Sequence, residues 1–212
     1  EDSVLIGKYF NENRSPIKYE DVNPMFYKTL IDTEDERFYQ HNGIDFKSII
    51  RAGYQFFKTG GEEAQGASTI TQQLLKNTVF TDWTSEGNNK IKKIKRKIQE
   101  QYLALEITKY YSKDEILLRY MNAINLGQNT LGVESASLRY FGKHCSDLTI
   151  SECAVIASIT QNPSKYNPIR HPEENAKRRE TCLNKMLKLG FISQAQYDEA
   201  MADTDAVYER IG

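Results

Sequence analysis

Apolar and polar residues follow one another along most of this chain with the 3.6-residue period of an α-helix. In "NPMFYKTLIDTEDERFYQHNG", residues 23–43, Asn23 is an N-cap, Pro24 opens the first turn and Gly43 stands just past the end. "DFKSIIRAGYQFFKTGG" is capped by Asp45, carries Phe46, Ile49, Ile50, Gly53 and Phe57 on one face, and stops at Gly60 and Gly61. Helical order resumes near Ser68 or Thr69 in "GASTITQQLLKN". "NKIKKIKRKIQEQYLALEITKYY" is a long amphipathic helix with Ile91, Ile94, Ile98, Tyr102 (or Gln101) and Leu105 in register. Ser112 with Glu115 and Thr149 with Glu152 have capping-box spacing. The second box opens an apolar run of the kind that fills a buried central helix. Further helices run from Pro172 to Gly190 and from Gln194 to Met201. Strand signals are weak, and "SVLIGKYF" reads at most as one short edge strand. The fold class is therefore mainly α, with no internal repeat.

The same period singles out one acid. Phe26, Leu30, Glu34 and Phe38 are each four apart, so Glu34 lies on the apolar stripe while Asp35 and Glu36 point elsewhere. Desolvation favours the neutral form of a carboxyl group, which suits a general acid or base. The plainer reading is a carboxylate bonded by a polar partner in the core. His41, near the helix end, reads as a partner for the terminal carbonyls or as a proton shuttle.

A second cluster is "GASTITQQLLKN". Gly66 permits close backbone approach, and Ser68 and Thr69 offer hydroxyls at a helix N-terminus able to bind an anion. Gln72 and Gln73 supply amides, and Lys76 adds a cation one turn later. With so few hydrophobes the run suits a cleft wall, or a plain capped polar helix. In the basic helix, Arg96 and Lys97 lie four and three residues before Glu100. That spacing fits a surface ion pair, or a mixed site for a phosphate and a hydroxyl. Arg178 and Arg179 are adjacent cations on a later helix.

Composition narrows the classes. With 39% hydrophobic and 27% charged residues, the 212-residue chain can build a packed core of about one domain. The net charge is −1, although six cations and no acid fall between Lys90 and Lys97. That balance, with no aromatic interleaving along the basic helix, argues against a nucleic-acid partner. Cys145, Cys153 and Cys182 are widely spaced and form neither a disulfide framework nor a zinc signature. No apolar run approaches the roughly 20 residues that cross a bilayer, and "EDSVLIG" lacks the features of a signal peptide.

Five segments, "EDERFYQHNG", "GASTITQQ", "RKIQE", "KDEILLRYMN" and "KRRETCL", occur in the order and spacing of the five motifs of family 51 peptidoglycan glycosyltransferases. The family comprises the monofunctional transglycosylases and the transglycosylase domains of class A penicillin-binding proteins. The resemblance runs from about Val4 to about Met201. It implies a single glycosyltransferase domain over residues 1–212, with a lysozyme-like large helical lobe and a smaller membrane-facing jaw lobe, roughly 46–66 and 77–90. It implies polymerisation of lipid II into glycan strands with inversion at the anomeric carbon, the growing strand leaving undecaprenyl pyrophosphate.

Carried onto this chain, the motifs make Glu34 the general base and Glu100 the second catalytic glutamate. Lys76, Arg96 and Lys97 match phosphate-facing cations, and Ser68, Thr69, Gln72 and Gln73 match the polar wall of the cleft. Asp35 and His41 shape the site, and Arg179, ahead of Arg178, matches the supporting last motif. No metal site and no required cofactor are implied, with room for a divalent cation that neutralises pyrophosphate. The implied partners are lipid II, the growing strand, the membrane surface and cell-wall synthesis proteins. The implied place is the outer face of the bacterial cytoplasmic membrane, reached through an N-terminal anchor absent from this chain.

Two departures stand out. Leu118 replaces a Glu usual in the fourth motif, and the jaw segment is only modestly apolar before Glu62 and Glu63. Read from its residues alone, the chain also fits a lysozyme-like hydrolase of finished peptidoglycan, which needs a lone acid but no pyrophosphate site.

Overall fold

The computed structural model describes residues 13–59, 66–81 and 89–212. The helices appear as their caps dictate: α1 (Pro24–Asp35), α2 (Phe46–Lys58), α3 (Ile70–Thr78), α4 (Lys90–Ile107) and α5 (Lys113–Ala123). They are followed by α6 (Val133–Phe141), α7 (Ile150–Ile159), α8 (Pro172–Lys188), α9 (Gln194–Ala202) and α10 (Thr204–Glu209). Asn23, Asp45, Thr69, Asn89, Ser112 and Thr149 each accept a backbone N–H of the first turn through the side chain. Thr69, Ser112 and Thr149 also complete reciprocal boxes with Gln72, Glu115 and Glu152.

The core is built round α7, in which every residue from Ser151 to Ile159 is buried. A helix apolar on all sides must be central, and α1 and α8 pack on it directly. Phe26 and Leu30 of α1, Ile116, Leu117, Tyr120 and Met121 of α5, and Val133 and Tyr140 of α6 complete the main cluster. Leu118, the departure in the fourth motif, packs half-buried against this cluster. A second cluster joins α7, α8 and α9 through Ala154, Cys182, Leu183, Met186 and Ala200. A third and smaller one, Ile44, Leu75 and Ala104, ties α3 and α4 to the loop after α1.

Two expectations change. The first helix ends at Asp35, not at Gly43, and the chain turns through Phe38 N–H to Asp35 O and Gln40 N–H to Arg37 O. Phe38 reaches the core through that turn and not as the next step of a helical stripe. Helices α6 and α10 had no clear periodic signal. The strand expected in residues 3–10 lies outside the described residues, as do the stops at Gly60 and Gly61. A two-residue strand, β1 (Asn13–Arg14), instead pairs in parallel with β2 (Thr130–Leu131).

The face of α2 and the apolar stripe of α4 do not join the core. Phe57 is 86% exposed and Ile91 79%, and Phe46, Ile50, Tyr54, Ile94, Ile98 and Tyr102 are also exposed. Of α4, only Glu100 and Ala104 are buried.

Close approach is demanded at Gly43. Its φ is +91°, and a β-carbon there would meet the Ala104 carbonyl oxygen at 2.2 Å. The carbonyl of Gly43 also accepts the Thr69 hydroxyl at 2.7 Å, so the residue locks α3 and α4 together. Gly43→Ala is expected to cost about 3 kcal/mol through strain and displacement of α4. Thermal unfolding of the variant should show a drop of several degrees, and an unchanged midpoint would refute the close packing.

Candidate active site

Helix α3 stands between two carboxylates and touches the surroundings of both. At the end of α1, half-buried Glu34 accepts a hydrogen bond on each oxygen. Gln73 Nε2 donates to Oε2 at 2.9 Å, and Thr160 Oγ1 donates to Oε1 at 2.6 Å. The Gln73 amide is oriented in turn, because fully buried Tyr120 donates its hydroxyl to Gln73 Oε1 at 3.1 Å. With that oxygen occupied, the NH2 group faces Glu34.

The second carboxylate, Glu100, is 1% exposed. Arg96 Nη1 donates to its Oε1, and Lys97 Nζ lies 3.0 Å from its Oε2. Lys97 Nζ also donates to Ser68 Oγ at 2.8 Å, one residue before the cap of α3. Both spacings on the basic helix, i to i+4 and i to i+3, are therefore used by one buried acid. Lys76 is half-buried and lies three residues beyond Gln73, on the same side of α3. Along the exposed stripe of α4, an apolar groove of 440 Å³ is lined by Val79, Phe80, Ile98, Gln99, Tyr102 and Leu103.

Asp35 is buried at 7% exposure, contrary to the expectation that it points away from the core. Its Oδ2 accepts the Ile70 N–H at 3.0 Å, at the first turn of α3. His41 Nε2 lies 2.8 and 2.9 Å from its two oxygens. Because His41 Nδ1 accepts the Gly43 N–H at 3.1 Å, the proton of a neutral ring sits on Nε2 and donates to Asp35. His41 thus meets a carboxylate and not the helix-end carbonyls. Near them, Lys113 Nζ lies 4.4 Å from the Phe38 ring centroid. Burial pushes this ammonium down, and the charge of Asp35 opposes that shift.

Other expected site residues do not face the cleft. Thr69 and Gln72 are buried, and their side-chain oxygens are engaged in the cap of α3: Thr69 Oγ1 accepts from Gln72 N–H, and Gln72 Oε1 accepts from Thr69 N–H, while Gln72 Nε2 is buried without a hydrogen-bond partner. A capping box turns its side chains back on the backbone, which removes them from the wall. The hydrogen bonds of Arg179 go to other elements. It is fully buried and donates to Thr204 Oγ1 at 3.0 Å, to Ser151 Oγ at 2.9 Å and to the Ala200 carbonyl, tying α7, α8, α9 and α10. Gly66 makes no close approach to any other residue. Thr160 and Tyr120 were not expected at the site. Tyr120 sat in a core stripe, where only the need of a buried phenol for a hydrogen-bond partner hinted at more.

Among the described residues, no group of three or more His, Cys, Asp and Glu could hold a metal ion. Among the same residues, no helix is long and apolar enough to cross a membrane.

The fold and site define a mainly helical domain that places two glutamates along one short helix, one among neutral donors and one among cations. A family model described as transglycosylase matches residues 2–187, and the chain belongs to this transglycosylase family. It is 40% identical to penicillin-binding protein 1A of Pseudomonas aeruginosa over 203 residues, which cover 96% of this chain and 24% of that protein. It is 43% identical to penicillin-binding protein 1A of Clostridium botulinum over 204 residues, 92% of this chain and 24% of that protein. The crystal structure of penicillin-binding protein 1A from Haemophilus influenzae superposes with a TM-score of 0.53 at 25% identity, covering 94% of this chain and 19% of that one. The chain spans about a quarter of the length of the curated relatives it matches.

The loop that carries His41 is clamped by Arg37, whose Nη2 lies 2.9 and 2.7 Å from the two oxygens of Asp45. Burial alone would raise the Asp45 carboxyl, but Arg37 and the Ser48 amide outweigh it and hold the group at about 2. A folded-state value below the unfolded one means that this stability is present above about pH 4 and is lost as pH falls toward 2. The clamp is expected to contribute about 2 kcal/mol at neutral pH. Asp45→Asn should lower the melting temperature at pH 7 and flatten its decline between pH 4 and pH 2. An acid-unfolding profile identical to that of the parent would remove the clamp.

Proposed function

We propose that this domain is a peptidoglycan glycosyltransferase that polymerises lipid II into β-1,4 glycan strands with inversion. The observation that carries the reading is the pairing of Glu34, bonded by Gln73 and Thr160, with Glu100, bonded by Arg96 and Lys97, on either side of α3. Glu34 takes the proton of the acceptor sugar's 4-hydroxyl. The freed oxygen attacks the anomeric carbon of the lipid-linked donor, and the bond to the pyrophosphate breaks with its electrons passing to the phosphate.

Arg96, Lys97 and Lys76 lie where that growing charge can be met, and preplaced cations lower such a barrier directly. A divalent cation could share in this neutralisation, and none is required by the residues. The apolar groove along the exposed stripe of α4 suits the prenyl chain of the donor. Hydrolysis of finished strands would leave the cation cluster without a task.

The jaw, roughly 46–66 and 77–90, is the part proposed to meet the membrane. Support comes from the exposed apolar faces of α2 and α4, whose Phe57 and Ile91 gain from leaving water. The proposed place is the outer face of the bacterial cytoplasmic membrane. The anchor would lie in a segment outside this chain, and cell-wall synthesis proteins are the expected neighbours.

Glu34→Gln tests the base. With labelled lipid II in detergent, glycan formation is expected to fall roughly a hundredfold or more, while the melting temperature stays within about 2 °C of the parent. Near-normal polymerisation by this variant would sink the assignment.

A further inference from the structure

Thr160 has one hydroxyl proton and two acceptors within reach. Its Oγ1 lies 2.6 Å from Glu34 Oε1 and 2.8 Å from the carbonyl oxygen of Ala157. A hydroxyl donates once and accepts twice, so it serves one of these acceptors at a time. The choice is free of a large penalty, because Ala157 O also accepts the Thr160 backbone N–H at 3.3 Å. That carbonyl is therefore not orphaned when the hydroxyl turns to Glu34.

The other side of Glu34 has no such freedom. The Gln73 amide offers only N–H to Oε2, since its oxygen is held by Tyr120. A proton on Oε2 would point at a donor, whereas a proton on Oε1 faces a group that can rotate.

We propose that Thr160 is a positioning residue that follows the protonation state of Glu34. This rests on the reading of Glu34 as the base. While Glu34 is a carboxylate, Thr160 donates to Oε1 and fixes the side chain toward the acceptor sugar. When Glu34 has taken the proton of the 4-hydroxyl, the Thr160 hydroxyl turns its hydrogen to Ala157 O and presents a lone pair to the new O–H on Oε1. No proton is transferred to or from Thr160; the Thr160 hydroxyl and the new carboxyl O–H both rotate, and loss of the Glu34 proton to water resets them. The pair thus directs proton gain to Oε1 and keeps the base in place in both states. The position, at the C-terminal end of the central helix α7, is rigid enough for this, because Thr160 is itself buried and α7 is enclosed on all sides.

The test is the pH dependence of kcat/KM for lipid II polymerisation by the 212-residue chain. Thr160→Val keeps the shape and removes the donor that favours the charged form of Glu34. The neutral form then persists to higher pH, so the acid limb should move up by about one pH unit. Thr160→Ser keeps the hydroxyl and should hold the limb at the parent position. Thr160→Ala removes the hydroxyl with less bulk and should repeat the Val result, so the test survives if Val disturbs folding.

An acid limb that stays in place in both Val and Ala variants overturns the proposal. So does a limb that moves as far in Ser as in Val, since that marks a packing effect. Glu34→Gln, run alongside, separates the two ideas. Retained turnover there refutes the base, whereas lost turnover with an unmoved Val limb refutes only the role of Thr160.

Discussion

The arrangement depends on one buried carboxylate that is not a candidate catalyst. Asp35 ends α1 and accepts the amide of Ile70 at the start of α3. It therefore sets where α3 begins and how its N-terminus is aimed. An anion at that end of a helix is favoured twice, by the free amide and by the helix dipole. Bonds to a charged acceptor contribute about 1.5–3 kcal/mol each, and breaking one here would orphan a buried N–H as well. Once α3 is seated, Gln73 falls opposite Glu34 and Ser68 falls opposite Lys97. The spacing of the two glutamates' surroundings is thus a property of α3 and of the acid that seats it. His41, Gly43 and Arg37 act on the same loop, through the imidazole, the close approach to Ala104 and the Asp45 clamp.

Much of this was legible in the sequence, and the limits have physical causes. Caps are local, so Asn23, Asp45, Thr69, Asn89, Ser112 and Thr149 could be read from residues three apart. Glu34 was singled out because a helical stripe is also local. Asp35 was misjudged because the helix ends on it, and the turn that follows brings a neighbour of the stripe inward. The partners of Glu34 were harder to see. Thr160 lies 126 residues away in sequence, and a hydroxyl at the end of an apolar helix carries no sign of what it will meet. Arg179 misled in the opposite sense. An Arg on a charged helix reads as surface or as a phosphate ligand, yet it is spent on Ser151, Thr204 and a carbonyl deep among four helices.

Periodicity also could not tell burial from exposure. The stripe Ile91, Ile94, Ile98 and Tyr102 predicts a helix correctly, but among the described residues its side chains stay exposed. Each such side chain forgoes about 1.5–3 kcal/mol that burial would supply. A chain can carry that only because its core is closed elsewhere, round α7. What holds α4 to the rest is not its apolar stripe but its opposite side. There, Ala104 fits under Gly43, and Glu100 is bound to Arg96 and Lys97 of the same helix and, through Lys97, to Ser68. The apolar face is exposed, and the polar face is fixed to α3.

The two glutamates then differ in what a proton would do to each. Glu100 is held between two cations, the largely buried Arg96 and the partly exposed Lys97, and serves as the counter-charge of both. Glu34 balances none in its two direct contacts: an amide and a hydroxyl remain satisfied, or turn, when its charge is lost. A base must lose its charge in the act of working, and a phosphate site must keep its charges apart and fixed. Neutral donors on one acid and cations on the other meet these opposite demands on either side of α3. The proposed assignment of the two roles rests on that asymmetry, since the sequence offers the same residue type twice.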